Sequence, residues 1–203
     1  DSFTSGKRNV TRHANIFAVL FSIADKEKQE KILTNVLENE KIPAITTPYF
    51  NFFELDVLCQ MGKLQEVLDK IRSYWGGMLD LGAVTFWEEY DPSVPKEEQY
   101  DMYGDHFGKS LCHAWAASPI YFLAKYFAGL DLVNKDGVTY VLKPQMQYFT
   151  DLDCILPVGS DGTVRLAWDG ECLEVIADAE GGVLELGEEK ISLVRGETRR
   201  VKI

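Results

Sequence analysis

The feature that most constrains the fold is a change in the spacing of apolar residues near Gly129. Before it, apolar side chains recur at the three- and four-residue intervals typical of helices. After it, they fall in short runs separated by turns such as Asp169-Gly170 and Arg195-Gly196. This order predicts two domains, a helical domain over residues 1–130 and a β domain over residues 131–203.

The helical part alternates between two kinds of helix. The first, third and fifth predicted helices are apolar nearly all round, whereas the second and fourth set an apolar face against Lys and Glu. Short links between them make consecutive helices antiparallel. This alternation predicts part of an α/α toroid, in which inner helices line an axis and outer helices wrap them. The predicted helices cover residues 11–24, 25–39, 48–61, 63–75 and 110–128.

The second part of the chain holds up to seven strand-like runs. Their regular short spacing and glycine-containing turns predict a C-terminal antiparallel β-sandwich. The runs cover residues 138–142, 153–158, 163–168, 172–177, 182–186, 190–194 and 198–203.

Charge and motifs exclude several classes of partner. Asp and Glu outnumber Lys and Arg by 32 to 21, and the net charge of -11 argues against a nucleic acid or an anionic membrane as partner.

None of the four cysteines is close to another in sequence, so no zinc spacing is present, and we expect no metal and no cofactor. No stretch reaches transmembrane length, and the N-terminus does not resemble a signal peptide, so the compartment stays unassigned.

The long connection over residues 76–109 is a candidate functional loop, because it carries six aromatic residues and compact domains rarely hold such loops without a role. Within it, Glu88 follows Trp87, and alternation along an extended segment would place Glu88 between Phe86 and Tyr90. Partial burial raises the pKa of a carboxyl group, so a base at this position needs a nearby donor, for which we predict His113. A solvated loop glutamate is the alternative interpretation of Glu88.

His113 is the second candidate site residue. On the predicted fifth helix its neighbours are small, which leaves a hollow above the imidazole for a ligand. The alternative is a core histidine bonded to a backbone carbonyl. On the same helix Trp115 is predicted to lie opposite, in the core, and Ser118-Pro119 would kink or restart the helix.

Four segments together resemble the barrel of the bacterial α-L-rhamnosidases, an inverting glycoside hydrolase family. They are residues 13–20, the pair Tyr49-Phe50, residues 82–90 and residues 110–119. The tail after Gly129 resembles the C-terminal β-sandwich of that family. The resemblance spans nearly the whole chain, and its Trp-Glu and Ser-x-x-His segments are specific in combination.

The resemblance implies an (α/α)6 barrel that hydrolyses terminal rhamnose with inversion. It implies that Glu88 is the general base and that His113 contacts the sugar. Trp87 and Tyr49 would complete the sugar pocket, since aromatic surface suits the methyl-bearing face of a deoxy sugar. The implied partner is a rhamnoside.

In the family the general acid lies upstream of the His-Ala-Asn helix, and this chain begins just before the matching residues. We therefore expect a C-terminal part of a longer enzyme, with about five helices of a six-hairpin barrel, that keeps the base, lacks the acid and is inactive alone. Exposed inner helices would favour self-association. Three alternatives stay open: a non-catalytic carbohydrate-binding module, a toroid hydrolase for another sugar, and a structural half-barrel completed by another chain.

Overall fold

The computed structural model describes residues 2–4, 7–135, 137–160 and 162–203. The chain separates into two compact units, one ending at Ser118 and the other running Pro119–Ile203. This division falls at the first residue of the last helix, ahead of the domain boundary predicted after residue 130.

The first unit begins with a short hairpin that was not predicted, in which β1 (Ser2–Thr4) pairs antiparallel with β2 (Lys7–Asn9). The main helices of this unit start and end close to the predicted positions, except that α1 ends four residues before residue 24 and α4 continues five residues beyond residue 75. The helices are α1 (Arg12–Leu20), α2 (Lys26–Ile32, continued by a π-helical turn Leu33–Leu37), α3 (Pro48–Gln60) and α4 (Leu64–Asp80).

Local chemistry accounts for these helix ends. The Asp25 carboxylate accepts a hydrogen bond of 3.0 Å from the Lys28 N–H and caps α2. Pro48 lies in the first turn of α3, where its missing N–H costs nothing. Gly62, with φ +74°, follows the end of α3 in the left-handed region that glycine adopts without strain.

A charged cluster lies inside the packed helices of this unit. The Arg12 Nη1 atom of α1 donates to Glu54 Oε1 of α3 at 2.8 Å. Lys70 of α4 donates to the same oxygen. Glu54 is 1% exposed and Arg12 is 8% exposed, so both charges are paired away from water. Three helices are thereby joined through one carboxylate.

The inner helices are less buried than their apolar composition predicted. Phe21 and Ile23, just after α1, are 69% and 74% exposed. At the start of α3, Tyr49 is 48% exposed. Phe50 and Phe53 are half-buried, with ring centroids 5.3 and 5.6 Å from that of Phe17. One side of these helices therefore presents aromatic surface.

The predicted fifth helix over residues 110–128 is wrong in its first half. Residues 110–113 are not helical, Ala114–Ala116 forms a 3₁₀ turn, and α5 (Ser118–Phe122) begins only afterwards, continued by a π-helical turn Leu123–Phe127. Two causes combine. The backbone around His113 is hydrogen bonded to another segment, described below, and Pro119 cannot continue a helix that starts upstream.

In the second unit, the described strands form two four-stranded sheets. One has the order β10-β7-β6-β5 and is antiparallel. The other has the order β3-β4-β8-β9, and its β4–β8 pair is parallel, so the prediction of a wholly antiparallel sandwich is wrong at that pair. The strands are β3 (Leu130–Lys135), β4 (Val138–Leu142), β5 (Leu152–Val158), β6 (Gly162–Trp168), β7 (Cys172–Asp178), β8 (Gly182–Leu186), β9 (Glu189–Leu193) and β10 (Thr198–Lys202).

Both sheets contribute to one apolar core in this unit. Tyr140 and Leu184 from one sheet and Val164, Leu166 and Val175 from the other are each 0% exposed. Strand β3 was missed by sequence analysis because five of its six residues are exposed, so it lacks the alternating pattern that marks a half-buried strand.

The architecture is thus a helical part followed by two antiparallel-rich sheets, and closure of the helices into a toroid stays a prediction. No helix in the described ranges is long and apolar enough to cross a bilayer.

Candidate functional site

The two segments that carry the candidate residues lie side by side in the first unit. The Glu88 N–H donates to the Ser110 carbonyl at 2.9 Å, and the His113 N–H donates to the Phe86 carbonyl at 2.8 Å. This pairing places His113 Nδ1 3.9 Å from Glu88 Oε2. The structure therefore brings the carboxylate and the imidazole close together, as expected from the need for a group beside Glu88 that favours its ionised form.

Both oxygens of the Glu88 carboxylate are held by hydrogen-bond donors. Oε1 accepts from the Tyr103 hydroxyl at 2.8 Å, and Oε2 accepts from the Ser110 N–H at 3.1 Å. The residue is 9% exposed. The donor predicted from the sequence was His113. The direct donors are instead Tyr103 and Ser110, and the imidazole lies farther away, with its Nδ1 atom 3.9 Å from Oε2.

The environment keeps Glu88 ionised. Burial alone raises the pKa of its carboxyl group, as predicted. The Tyr103 and Ser110 donors, together with the electrostatic influence of His113 and Lys109, outweigh burial and hold the pKa of Glu88 below its ordinary value. A carboxylate in this state accepts a proton rather than supplies one at neutral pH.

Lys109 contributes a positive charge close to this carboxylate. It is 8% exposed, and burial lowers the pKa of its ammonium group. The carboxylates of Glu89, Asp91, Glu88 and Asp101 oppose that shift without cancelling it.

The loop around Glu88 is fixed by hydrogen bonds from buried groups. The Gln99 side chain, 2% exposed, donates from Nε2 to the carbonyls of Asp91 and Val94 at 2.6 and 2.8 Å. The Thr46 hydroxyl donates to Glu89 Oε1 at 2.8 Å. Adjacent carboxylates thus take different partners, and only that of Glu88 lies beside His113.

Little of the Trp87 side chain is accessible to a ligand. It is 3% exposed, and its ring packs edge-on against Tyr100 with centroids 5.6 Å apart. Its predicted role was to shape the sugar pocket. The geometry favours a supporting role in the loop instead.

The exposed rings of Trp115 and Tyr49 form a chain of ring contacts that begins at the His113 imidazole. The His113 and Trp115 ring centroids are 4.2 Å apart, and those of Trp115 and Tyr49 are 5.2 Å apart. Trp115 is 51% exposed, so its predicted place in the core is wrong. It lies on a 3₁₀ turn, which the bond from Trp75 Nε1 to the Ala116 carbonyl at 2.8 Å holds in place. Tyr49 is therefore close to the candidate site, as its predicted role requires.

Tyr103 is the site residue that sequence analysis missed. It lies at a tight turn in which Met102 and Asp105 exchange backbone hydrogen bonds of 3.0 and 2.9 Å. Tyr103 and Gly104 have φ values of +55° and +81°. The Tyr-Gly pair was a weak turn signal, and nothing in the local sequence linked it to Glu88.

The loop that carries Tyr103 also holds Asp101, Asp105 and His106. His106 Nδ1 lies 2.5 Å from Asp101 Oδ1 in an exposed pair. Among the residues that the structure describes, no group of three His, Cys, Asp or Glu side chains has metal-binding geometry.

Comparisons with known proteins find similarity in three-dimensional structure alone. No protein-family model matches the chain. No curated protein matches it either. The crystal structure of a GH78 family rhamnosidase of Bacillus sp. GL1 is similar, with a TM-score of 0.68 and 22% sequence identity over 88% of this chain. The chain spans 19% of the length of that rhamnosidase, and at this identity the similarity shows that it has a GH78-like fold.

Proposed function

We propose that the chain is part of an α-L-rhamnosidase-like glycoside hydrolase that releases terminal rhamnose with inversion, and that Glu88 is its general base. The observation that carries the proposal is an ionised, nearly buried carboxylate held by two donors beside an imidazole. The GH78-like fold supports it, because the similar structure is a glycoside hydrolase.

Inverting hydrolysis needs two carboxyl groups about 6.5–9.5 Å apart, with a water molecule between the base and the sugar. Glu88 removes a proton from that water while the water oxygen attacks the anomeric carbon. A second carboxyl group protonates the leaving oxygen, and we assign that group to the longer protein rather than to this chain. The low pKa of Glu88 suits the base and not the acid.

Substrate contacts follow from the exposed groups near Glu88. The His113 imidazole is half-buried, and the exposed part of its side chain is the proposed contact for a sugar hydroxyl. Tyr49 offers a 48% exposed ring to an apolar sugar face. Trp87 is 3% exposed and packs against Tyr100, so its proposed role is to support the loop rather than to contact the sugar.

A non-catalytic carbohydrate-binding role is the second candidate. The exposed rings of Trp115 and Tyr49 favour it, because sugar-binding surfaces present aromatic faces and need no base. Turnover of an aryl α-L-rhamnoside, measured together with rhamnose affinity in the unsubstituted longer protein and in its Glu88→Gln variant, separates the two candidates. A pure binding module loses no function when the base is neutralised, whereas a hydrolase keeps binding and loses turnover.

The stereochemical outcome tests the proposal. The longer protein, mixed with an aryl α-L-rhamnoside, should release β-L-rhamnose first, as followed by proton NMR of the anomeric signal before mutarotation. This chain alone should release no sugar, because it supplies a single carboxylate of the required pair. Initial release of the α-anomer would contradict an inverting mechanism with Glu88 as base.

A further inference from the structure

We propose that Tyr103 is a positioning residue of this site, whose hydroxyl fixes Oε1 of Glu88 so that the carboxylate faces the attacking water in one orientation. The inference rests on the proposed function and deepens it by naming a second residue that orients the general base.

The conformation of Tyr103 is the first observation. Its φ of +55° lies in the left-handed region, which is unfavourable for a bulky side chain. The residue is also 81% exposed, so burial does not hold its ring in place. Within the described residues, its side-chain hydrogen bond runs to Glu88 at 2.8 Å. Strained residues of this kind concentrate at functional sites.

The second observation is that the two oxygens of the Glu88 carboxylate are held by different kinds of donor. Oε2 is held by the Ser110 backbone N–H, which belongs to the pairing between the two segments. Oε1 is held by a side-chain hydroxyl across a separation of fifteen residues. An ionised carboxylate has about four lone-pair sites, so two donors fix its plane and still leave room for a water molecule.

The electrostatics of the pair agree with this geometry. The charged and titratable groups around the pair are His113, Lys109 and Glu89. The hydrogen bond from Tyr103 lowers the pKa of Glu88, and the same bond raises the pKa of the Tyr103 phenol. Without the Tyr103 hydroxyl, fewer donors counteract the effect of burial on the Glu88 carboxyl group, so the pKa of Glu88 should rise. Because a base acts only when deprotonated, the acid side of the rate profile should then move to higher pH.

A carboxyl titration of this chain tests the pairing without any enzyme assay. Carbon-13 NMR of labelled Glu side chains, with the Glu88 signal assigned by its loss in Glu88→Gln, should show a higher pKa for Glu88 in Tyr103→Phe. Tyr100→Phe is the matched control, since it removes a hydroxyl from the same loop and should leave the Glu88 titration unchanged. An unchanged Glu88 pKa in Tyr103→Phe would overturn the inference.

The pH profile of the longer protein supplies the kinetic readout. Tyr103→Phe should move the acid limb upward and lower kcat at its optimum by about tenfold or less, well below the loss expected for the base itself. If Glu88→Gln retains normal turnover, the proposed function fails whatever Tyr103 does to the carboxyl. If Glu88→Gln is inactive but the acid limb of the pH profile does not move in Tyr103→Phe, the proposed function stands and only the role of Tyr103 is refuted.

Discussion

Replacing Glu88 with Gln in the longer protein should lower kcat for an aryl α-L-rhamnoside by about two to four orders of magnitude. Glutamine keeps the size of the side chain and an oxygen that accepts from Tyr103 or Ser110, but it cannot take a proton from water. The loss should therefore fall on kcat, with KM nearly unchanged, which identifies an interaction made in the transition state.

Glu89→Gln is the matched control for this variant. Glu89 is the adjacent carboxylate, but its Oε1 accepts from the Thr46 hydroxyl, whereas Glu88 pairs with His113. Its neutralisation should change kcat by less than about tenfold, since it takes no part in proton transfer. Near-normal turnover of Glu88→Gln, or an equal loss in both variants, would refute the assignment of the base.

Replacing Glu54 with Gln should lower the free energy of unfolding of the helical unit by about 3–5 kcal/mol. The substitution leaves the Arg12 guanidinium and the Lys70 ammonium without their shared counter-ion. Burial already lowers the pKa of Lys70, and the Glu54 carboxylate opposes that shift. The measurement is urea unfolding followed by tryptophan fluorescence, because three of the four tryptophans, Trp75, Trp87 and Trp115, lie in this unit.

Glu27→Gln is the surface comparison for the buried cluster. Glu27 pairs with Lys31 at 2.6 Å, but their side chains are 80% and 64% exposed. Exposed pairs of this kind contribute about 0–1 kcal/mol, so the midpoint of unfolding should barely move. Equal destabilisation by the two substitutions would show that the buried cluster adds nothing beyond an ordinary surface pair.

Sequence analysis predicted best what local chemistry decides. The start of α2 next to Asp25, the start of α3 at Pro48 and its end before Gly62 each depend on residues within one helical turn. The helix predicted over residues 110–128 depended on a non-local outcome. Its apolar and small residues fit a helix, but the bonds from Glu88 to Ser110 and from His113 to Phe86 hold the segment in another conformation.

The proximity of Glu88 and His113 was predicted, whereas the direct donors to Glu88 and the position of Trp115 were missed. Glu88 and His113 were selected for the chemistry of their side chains, and the structure brings them within 3.9 Å. Trp115 was assigned to the core because its burial was deduced from the phase of a helix that does not form there. Tyr103 was missed because its contact with Glu88 requires a turn with two left-handed residues, which the sequence marks only by Gly104.

The most direct test of the base is chemical rescue of Glu88→Ala in the longer protein. Removing the side chain opens a space beside the anomeric carbon that azide, an anionic nucleophile needing no base, should occupy. An aryl α-L-rhamnoside should then yield β-L-rhamnosyl azide, with a rate that rises with azide concentration while hydrolysis stays low. Undiminished hydrolysis by Glu88→Ala without azide, with no azide adduct formed, would show that another group activates the water.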